Sequence, residues 1–119
     1  MQEGKKNDQQ KLRYDLLSPI GLEELVKVYT QGAEVYGDRN WEQGIKYSRI
    51  FAAIMRHLWA WWRGEDKDKE SGLNHVAHAG WGCMALLHYQ KEKKEFDDRG
   101  ERGQAGEPNP SRERSEKKT

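Results

Sequence analysis

Hydrophobic residues recur along this chain at helical spacing in three separate stretches, and no stretch alternates with the period of a strand. In the first, Leu22, Leu25, Val26, Tyr29, Ala33 and Tyr36 form one narrow stripe. Ser18-Pro19 marks its start, because serine caps free amides and proline is tolerated at the first helical position. Gly37 marks its stop, because glycine accepts the left-handed conformation there. Residues 38–46 read as a connecting loop. A second helix is expected from a Ser48 cap to about Arg63, with Ile50, Ile54, His57 and Trp61 on its face and Phe51, Met55, Leu58 and Trp62 widening it. After a charged loop, Gly64 to Asn74, a third helix is expected from about Asn74 to about Lys91. Its face carries His75, His78, Gly82, Ala85, Leu86 and Tyr89, since positions three, four and seven apart stack up.

These patterns predict an all-α fold, a small bundle of three main helices. The ends differ in composition. Residues 1–10 are polar and are expected to be disordered, residues 11–93 form the helical domain, and residues 94–119 turn to charge, Gly, Pro and Ser and read as a disordered tail. Three helices make a thin core for a stable monomer. Trp59 and Trp62 fall on different sides of the second helix, so one neighbour cannot cover both. A homo-oligomer that completes the bundle is the expected remedy.

Charge and cysteine usage exclude some classes. The formal net charge is +1, and the segment after Glu92 holds eight Lys or Arg against seven Asp or Glu. No basic arm is present, so binding to a nucleic-acid polymer through bulk charge is not expected. The single cysteine, Cys83, cannot form an internal disulfide and fits a reducing compartment. No apolar run approaches the roughly 18–20 residues that span a bilayer, and the start lacks a signal-peptide pattern, so a cytoplasmic location without membrane contact is expected.

Candidate chemistry is concentrated between Tyr36 and His78, which hold three of the four histidines and four of the five tryptophans. His75 and His78 lie one turn apart, and His57 sits on the apolar face of the preceding helix. Imidazole ligates transition metals and acts as a base near neutral pH. Glu65 or Asp66 can join them from the intervening loop. Hydrogen-bonded core histidines are the competing reading of the same spacing. Glu24 and Glu34 on the first helix are further carboxylates for a hard cation, or members of a solvated face. Arg39 and Arg56 are candidate phosphate ligands because guanidinium groups grip phosphate oxygens bidentately. Asn40 and Trp41 offer an amide for a base edge and a ring for stacking, or a plug for the loop.

Several linked segments resemble a known family. They are Lys11-Leu12-Arg13-Tyr14-Asp15-Leu16, Gly32-Ala33 through Tyr36-Gly37-Asp38-Arg39-Asn40-Trp41, Arg56-His57 to Glu65-Asp66, and Ser71-Gly72-Leu73 to His75 and His78. Together, over about residues 11–90, they look like the N-terminal domain of phage-associated dATP/dGTP diphosphohydrolases, related to the MazG-like all-α pyrophosphohydrolases. The resemblance implies oligomerisation and divalent-metal-dependent cleavage of purine deoxynucleoside triphosphates to monophosphates, in phage nucleotide metabolism within the host cytoplasm. Here Glu23-Glu24 is followed by Lys27 where the MazG-like pattern has a third glutamate, while Glu65-Asp66-Lys67-Asp68 spells its ExxD. On this reading His57, Asp66 and His75 are catalytic. Glu24, Glu34, Glu65, Asp66, His75 and His78 are the metal candidates, for Mg²⁺ or Mn²⁺. Lys11, Arg13, Arg39, Asn40, Trp41 and Arg56 would hold the nucleotide. The alternative is a non-catalytic helical interaction module whose histidines and tryptophans are core and oligomer contacts.

Overall fold

The computed structural model describes residues 1–100. Three α-helices dominate: α1 (Pro19–Tyr36), α2 (Tyr47–Trp62) and α3 (His75–Glu92). Short 3-10 turns occupy Tyr14–Leu16, Asn40–Gln43 and Lys94–Phe96. Among the described residues there is no strand, only an isolated antiparallel bridge between Lys67 and Asn74. The fold is all-α. Ser18 Oγ accepts a hydrogen bond from the Gly21 amide at 3.0 Å and Asn74 Oδ1 accepts one from the Val76 amide at 2.8 Å, so both residues cap the helices that follow them. Gly37 ends α1 at φ 99°, a conformation costly for any residue with a β-carbon.

α3 is the central helix: α2 packs along one side of it and α1 along another, while α1 and α2 scarcely meet. Each crossing uses a glycine. A β-carbon at Gly82 would come within 2.5 Å of Ile54 Cγ1, and one at Gly80 would touch Leu25 Cδ1 at 3.6 Å. α3 is therefore buried on two sides, which explains why Ala77 and Ala79 join His75, Gly82, Ala85 and Tyr89 in the interior. The α1 stripe is only partly used, because α2 does not reach it. Val28 is buried, whereas Leu22, Val26 and Tyr36 are exposed.

Tyr89 is fully buried, and it ties three segments together. Its hydroxyl donates to the Trp41 carbonyl at 2.6 Å, and its own carbonyl accepts from the Tyr47 hydroxyl at 2.8 Å. The loop between α1 and α2 is thereby bound to the end of α3, and its middle folds into the Asn40–Gln43 turn.

Two expectations are corrected. Ser48 does not cap α2. The helix begins at Tyr47, and Ser48 lies in its first turn, donating from its amide and hydroxyl to the Asp98 carboxylate at 3.0 and 2.5 Å. The cap is supplied from across the fold. For the same reason residues 94–100 are not part of a disordered tail. Phe96 packs against the core, over Gly44, where a β-carbon would come within 2.3 Å of its ring, and the Arg99 guanidinium lies 5.5 Å from the Tyr47 ring centre. The remainder of the expected tail, 101–119, lies outside the described residues. Residues 1–10 are exposed and form no helix.

Two tests follow from this packing. Gly82→Ala is expected to destabilise the domain by about 1–3 kcal/mol in denaturant titration, because overpacking against Ile54 outweighs the gain of about 1 kcal/mol in helix propensity. Asp98→Ala is expected to cost about 1 kcal/mol, the usual worth of a helix cap. Partial burial pushes the Asp98 carboxyl up, but the two Ser48 hydrogen bonds prevail and hold it below its ordinary value. A depressed carboxyl stabilises the fold above the unfolded-state value and loses that stabilisation as pH falls through the folded-state value. The gap between parent and variant should thus be present at pH 7 and close in the acid range.

Candidate functional site

The loop from Gly64 to Asn74 doubles back tightly before α3. Asp68 and Leu73 share a backbone hydrogen bond of 2.8 Å, the Gly72 amide donates to the Asp68 carbonyl at 2.7 Å, and the His75 amide donates to the Asp66 carbonyl at 2.9 Å. Asp68 Oδ2 accepts from the Ser71 amide, three residues on, at 2.9 Å, and Gly72 takes φ 78°, which glycine allows. This turn brings Asp68 back towards the helices. Ser71 fixes the surroundings further. Its carbonyl accepts from Gln31 Nε2 of α1 at 3.1 Å, and its hydroxyl pairs with His78 Nε2 at 2.7 Å.

Three imidazoles meet beside this loop. His57 Nδ1 and His75 Nδ1 are 2.9 Å apart, and the rings of His57 and His78 stack at 4.5 Å with 7° between their planes. His75 is buried, and its Nε2 is 2.9 Å from Glu65 Oε1. Because a carboxylate only accepts, Nε2 carries the hydrogen of that bond. Ligand atoms of His57, Asp68 and His75 lie within 4.8 Å of one another. Burial, then the charge that His78 and His75 would carry, pushes His57 below the usual histidine value; burial does the same for His78. The Ser71 amide bond holds Asp68 below the usual carboxylate value. Both histidines are thus neutral and Asp68 is ionised at neutral pH.

His57, Asp68, Ser71 and His78 line one part of a large open cleft of about 1820 Å³. α1 contributes Tyr29, Gln31 and Gly32 to its walls, α3 contributes Trp81, Met84, Leu87, His88 and Lys91, and the turn after α1 contributes Arg39, Asn40 and Trp41. The Trp41 ring stands edge-on to Tyr29 at 6.0 Å and to His88 at 4.9 Å. The Tyr29 hydroxyl is buried with no hydrogen-bond partner among the described residues.

The structure brings together some of the residues singled out from sequence and separates others. His57, His75, His78 and Glu65 converge. Asp66 does not join them: its side chain is exposed, and Asp68 is the carboxylate at the cluster. Glu24 forms a surface ion pair with Lys27 at 2.9 Å, and Glu34 is exposed on α1. Arg39, Asn40 and Trp41 line the cleft, with Arg39 paired to Glu42. Arg13 pairs with Asp15 at 2.7 Å on the exposed N-terminal segment, where Lys11 is exposed as well, and Arg56 is exposed on α2 outside the cleft wall. Ser71, Tyr29, Arg49 and Lys91 were not among the candidates, and Asp68 appeared only as the last residue of the ExxD pattern, with Asp66 chosen in its place. For Asp68 the signal was that ExxD pattern, whose aspartate is Asp68 and not Asp66.

The family described as dATP/dGTP diphosphohydrolase, N-terminal, matches residues 1–99, which takes in the Asp98 cap. A dATP/dGTP diphosphohydrolase of Salmonella phage PMBT28 is 38% identical over 96 residues, covering 81% of this chain and 33% of that protein. The chain thus spans about a third of the length of this curated relative. No solved structure matches. The family match runs through every helix and through the loop that carries Asp68 and Ser71, and the chain belongs to the dATP/dGTP diphosphohydrolase N-terminal domain family.

Proposed function

We propose that this domain serves the metal-dependent hydrolysis of purine deoxynucleoside triphosphates to monophosphates, and that the cleft is its nucleotide site. One observation carries the reading: a single cleft presents an imidazole–carboxylate cluster, aromatic walls and cationic side chains together, in a chain of this family. Tyr29, Trp41 and Trp81 offer ring faces and edges to a purine, and Asn40 an amide to its rim. Arg39, Arg49 and Lys91 attract polyphosphate, with the guanidinium groups suited to bidentate contact. The divalent ion, Mg²⁺ or Mn²⁺, would neutralise the triphosphate and lower the pKa of the attacking water. His78, held neutral beside that ion, would accept a proton from the water. The buried, unpartnered Tyr29 hydroxyl supports the reading too, because a missing partner costs about 1–3 kcal/mol that a ligand can relieve.

The rival reading, a non-catalytic interaction module, is favoured by a different observation. Phe51, Trp59, Trp61 and Trp62 of α2 are all exposed, a broad apolar surface for so small a domain. We take a homo-oligomer as the assembly that covers it, and light scattering at micromolar concentration would count against this if it returned a stable monomer.

The deciding experiment screens purified protein against nucleoside triphosphates with Mg²⁺ and Mn²⁺, measuring turnover and thermal shift together. Hydrolysis or saturable stabilisation by dATP or dGTP is expected; neither, at millimolar nucleotide, leaves the interaction module standing. Asp68→Asn should lower turnover by about 10²-fold or more, and Asp66→Asn should be much the milder of the two. Tyr29→Phe should leave the free protein as stable or more so, since it removes an unpartnered hydroxyl, and should weaken nucleotide binding several-fold. A destabilised Tyr29→Phe would show that the hydroxyl already has a partner in solution.

A further inference from the structure

We infer that His57, Asp68 and His75 form a binding site for a first-row transition ion such as Zn²⁺ or Mn²⁺ that discriminates against Mg²⁺. This deepens the metal part of the proposed function, yet it stands or falls on metal binding alone.

Two imidazole nitrogens and one carboxylate suit zinc, manganese, cobalt or nickel, whereas Mg²⁺ takes oxygen donors and keeps its waters. Spacing agrees. Neighbouring ligands on an ion with bonds of about 2.1 Å sit about 3.0–3.4 Å apart in octahedral or tetrahedral arrangements, and the two Nδ1 atoms lie 2.9 Å apart. Two neutral imidazole nitrogens at that distance need either a hydrogen or a cation between their lone pairs. The support for His75 is the kind a metal ligand requires. Glu65 accepts from Nε2, which fixes the tautomer and leaves the Nδ1 lone pair to ligate. Asp68 is held in turn by the Ser71 amide.

Access also fits. His57 and Asp68 line the cleft while His75 is buried behind them, so three protein ligands occupy one side of the site and the remaining positions open into the cleft. That is the layout of a site that keeps positions for water or substrate, not of a closed structural site. In the proposed reaction, Mg²⁺ would then arrive only with the triphosphate.

The test uses the whole chain, stripped with a chelator and titrated with Co²⁺ and Zn²⁺ in the absence of nucleotide. Visible absorption reports cobalt coordination, and calorimetry reports stoichiometry. One ion per chain is expected, with the cobalt bands surviving millimolar Mg²⁺ and vanishing on addition of Zn²⁺. His57→Ala and Asp68→Asn should each abolish the bands. Glu65→Gln should weaken binding by about 10–100-fold without abolishing it, as removal of a supporting carboxylate does. His88→Ala, which changes the one histidine outside the cluster, should leave the bands in place. Circular dichroism confirms folding, and Glu65→Gln and Asp68→Asn preserve side-chain shape where the alanine change does not. No cobalt spectrum, equal competition by Mg²⁺, or bands undiminished in both His57→Ala and Asp68→Asn would overturn the site. Metal-free turnover of dGTP would leave the nucleotide reading intact while removing the need for this ion in it.

Discussion

Gly82 has no side chain, and Ile54 occupies the space where one would stand; this contact fixes how α2 lies along α3. The two helices run antiparallel from it. Towards one end Tyr47 reaches the Tyr89 carbonyl and the tyrosine rings stack at 6.3 Å. Towards the other, one turn along, His57 stacks on His78 and meets His75. A residue shift in either helix would turn its side chains by about 100° and scatter the imidazoles. The glycine costs about 1 kcal/mol of helix propensity, and the close approach it permits is what makes a cluster of three histidines possible between two helices.

Ser71 is the second joint. One residue receives α1 through Gln31, holds Asp68 with its amide and contacts His78 with its hydroxyl. The loop between α2 and α3 is thereby tied to α1 and to the start of α3, and the carboxylate arrives at the imidazoles by local turn geometry, not through a fourth helix. The opposite end of the cleft is held independently: Tyr89 binds the Trp41 carbonyl, which places Asn40 and Trp41 against α3. Two separate sets of hydrogen bonds thus shape the two ends of one cleft, so substitutions at Ser71 and at Tyr89 act on different parts of it.

Much of this was legible in the chain. Helical periodicity, the Ser18 and Asn74 caps and the Gly37 stop are local signals, and the helices formed where those signals stood. The convergence of His57, His75 and His78 was legible too, because it needs only two faces at helical spacing. What escaped the reading depends on distant partners. The cap of α2 comes from Asp98, so Ser48 looked like a cap from sequence and is a donor instead. Asp66 and Asp68 are two residues apart in a charged loop, and only the path of that loop decides which carboxylate turns inward. Val28 falls off the expected stripe because α1 packs chiefly on α3 and scarcely on α2, and a stripe read from one helix does not reveal how many neighbours it has.

The electrostatics of the cluster follow from its crowding. Stacked rings cannot both carry charge at 4.5 Å without strong repulsion, and burial already disfavours charge on each, so His57 and His78 stay neutral. Two carboxylates, Asp68 and Glu65, face the same group of rings. The balance is therefore tilted towards negative charge, although the chain as a whole carries a formal net charge of only +1. Bulk attraction of a polyanion is negligible at that net charge, and an anion approaching this end of the cleft meets carboxylates unless a cation intervenes. The cationic side chains Arg39, Arg49 and Lys91 line the cleft as well, and Arg39 is already engaged by Glu42. A divalent ion between His57, His75 and Asp68 would reverse the sign of the field where it matters, turning an end of the cleft that repels phosphate into one that holds it. Metal and nucleotide binding would then be coupled by charge alone, each strengthening the other by the same factor.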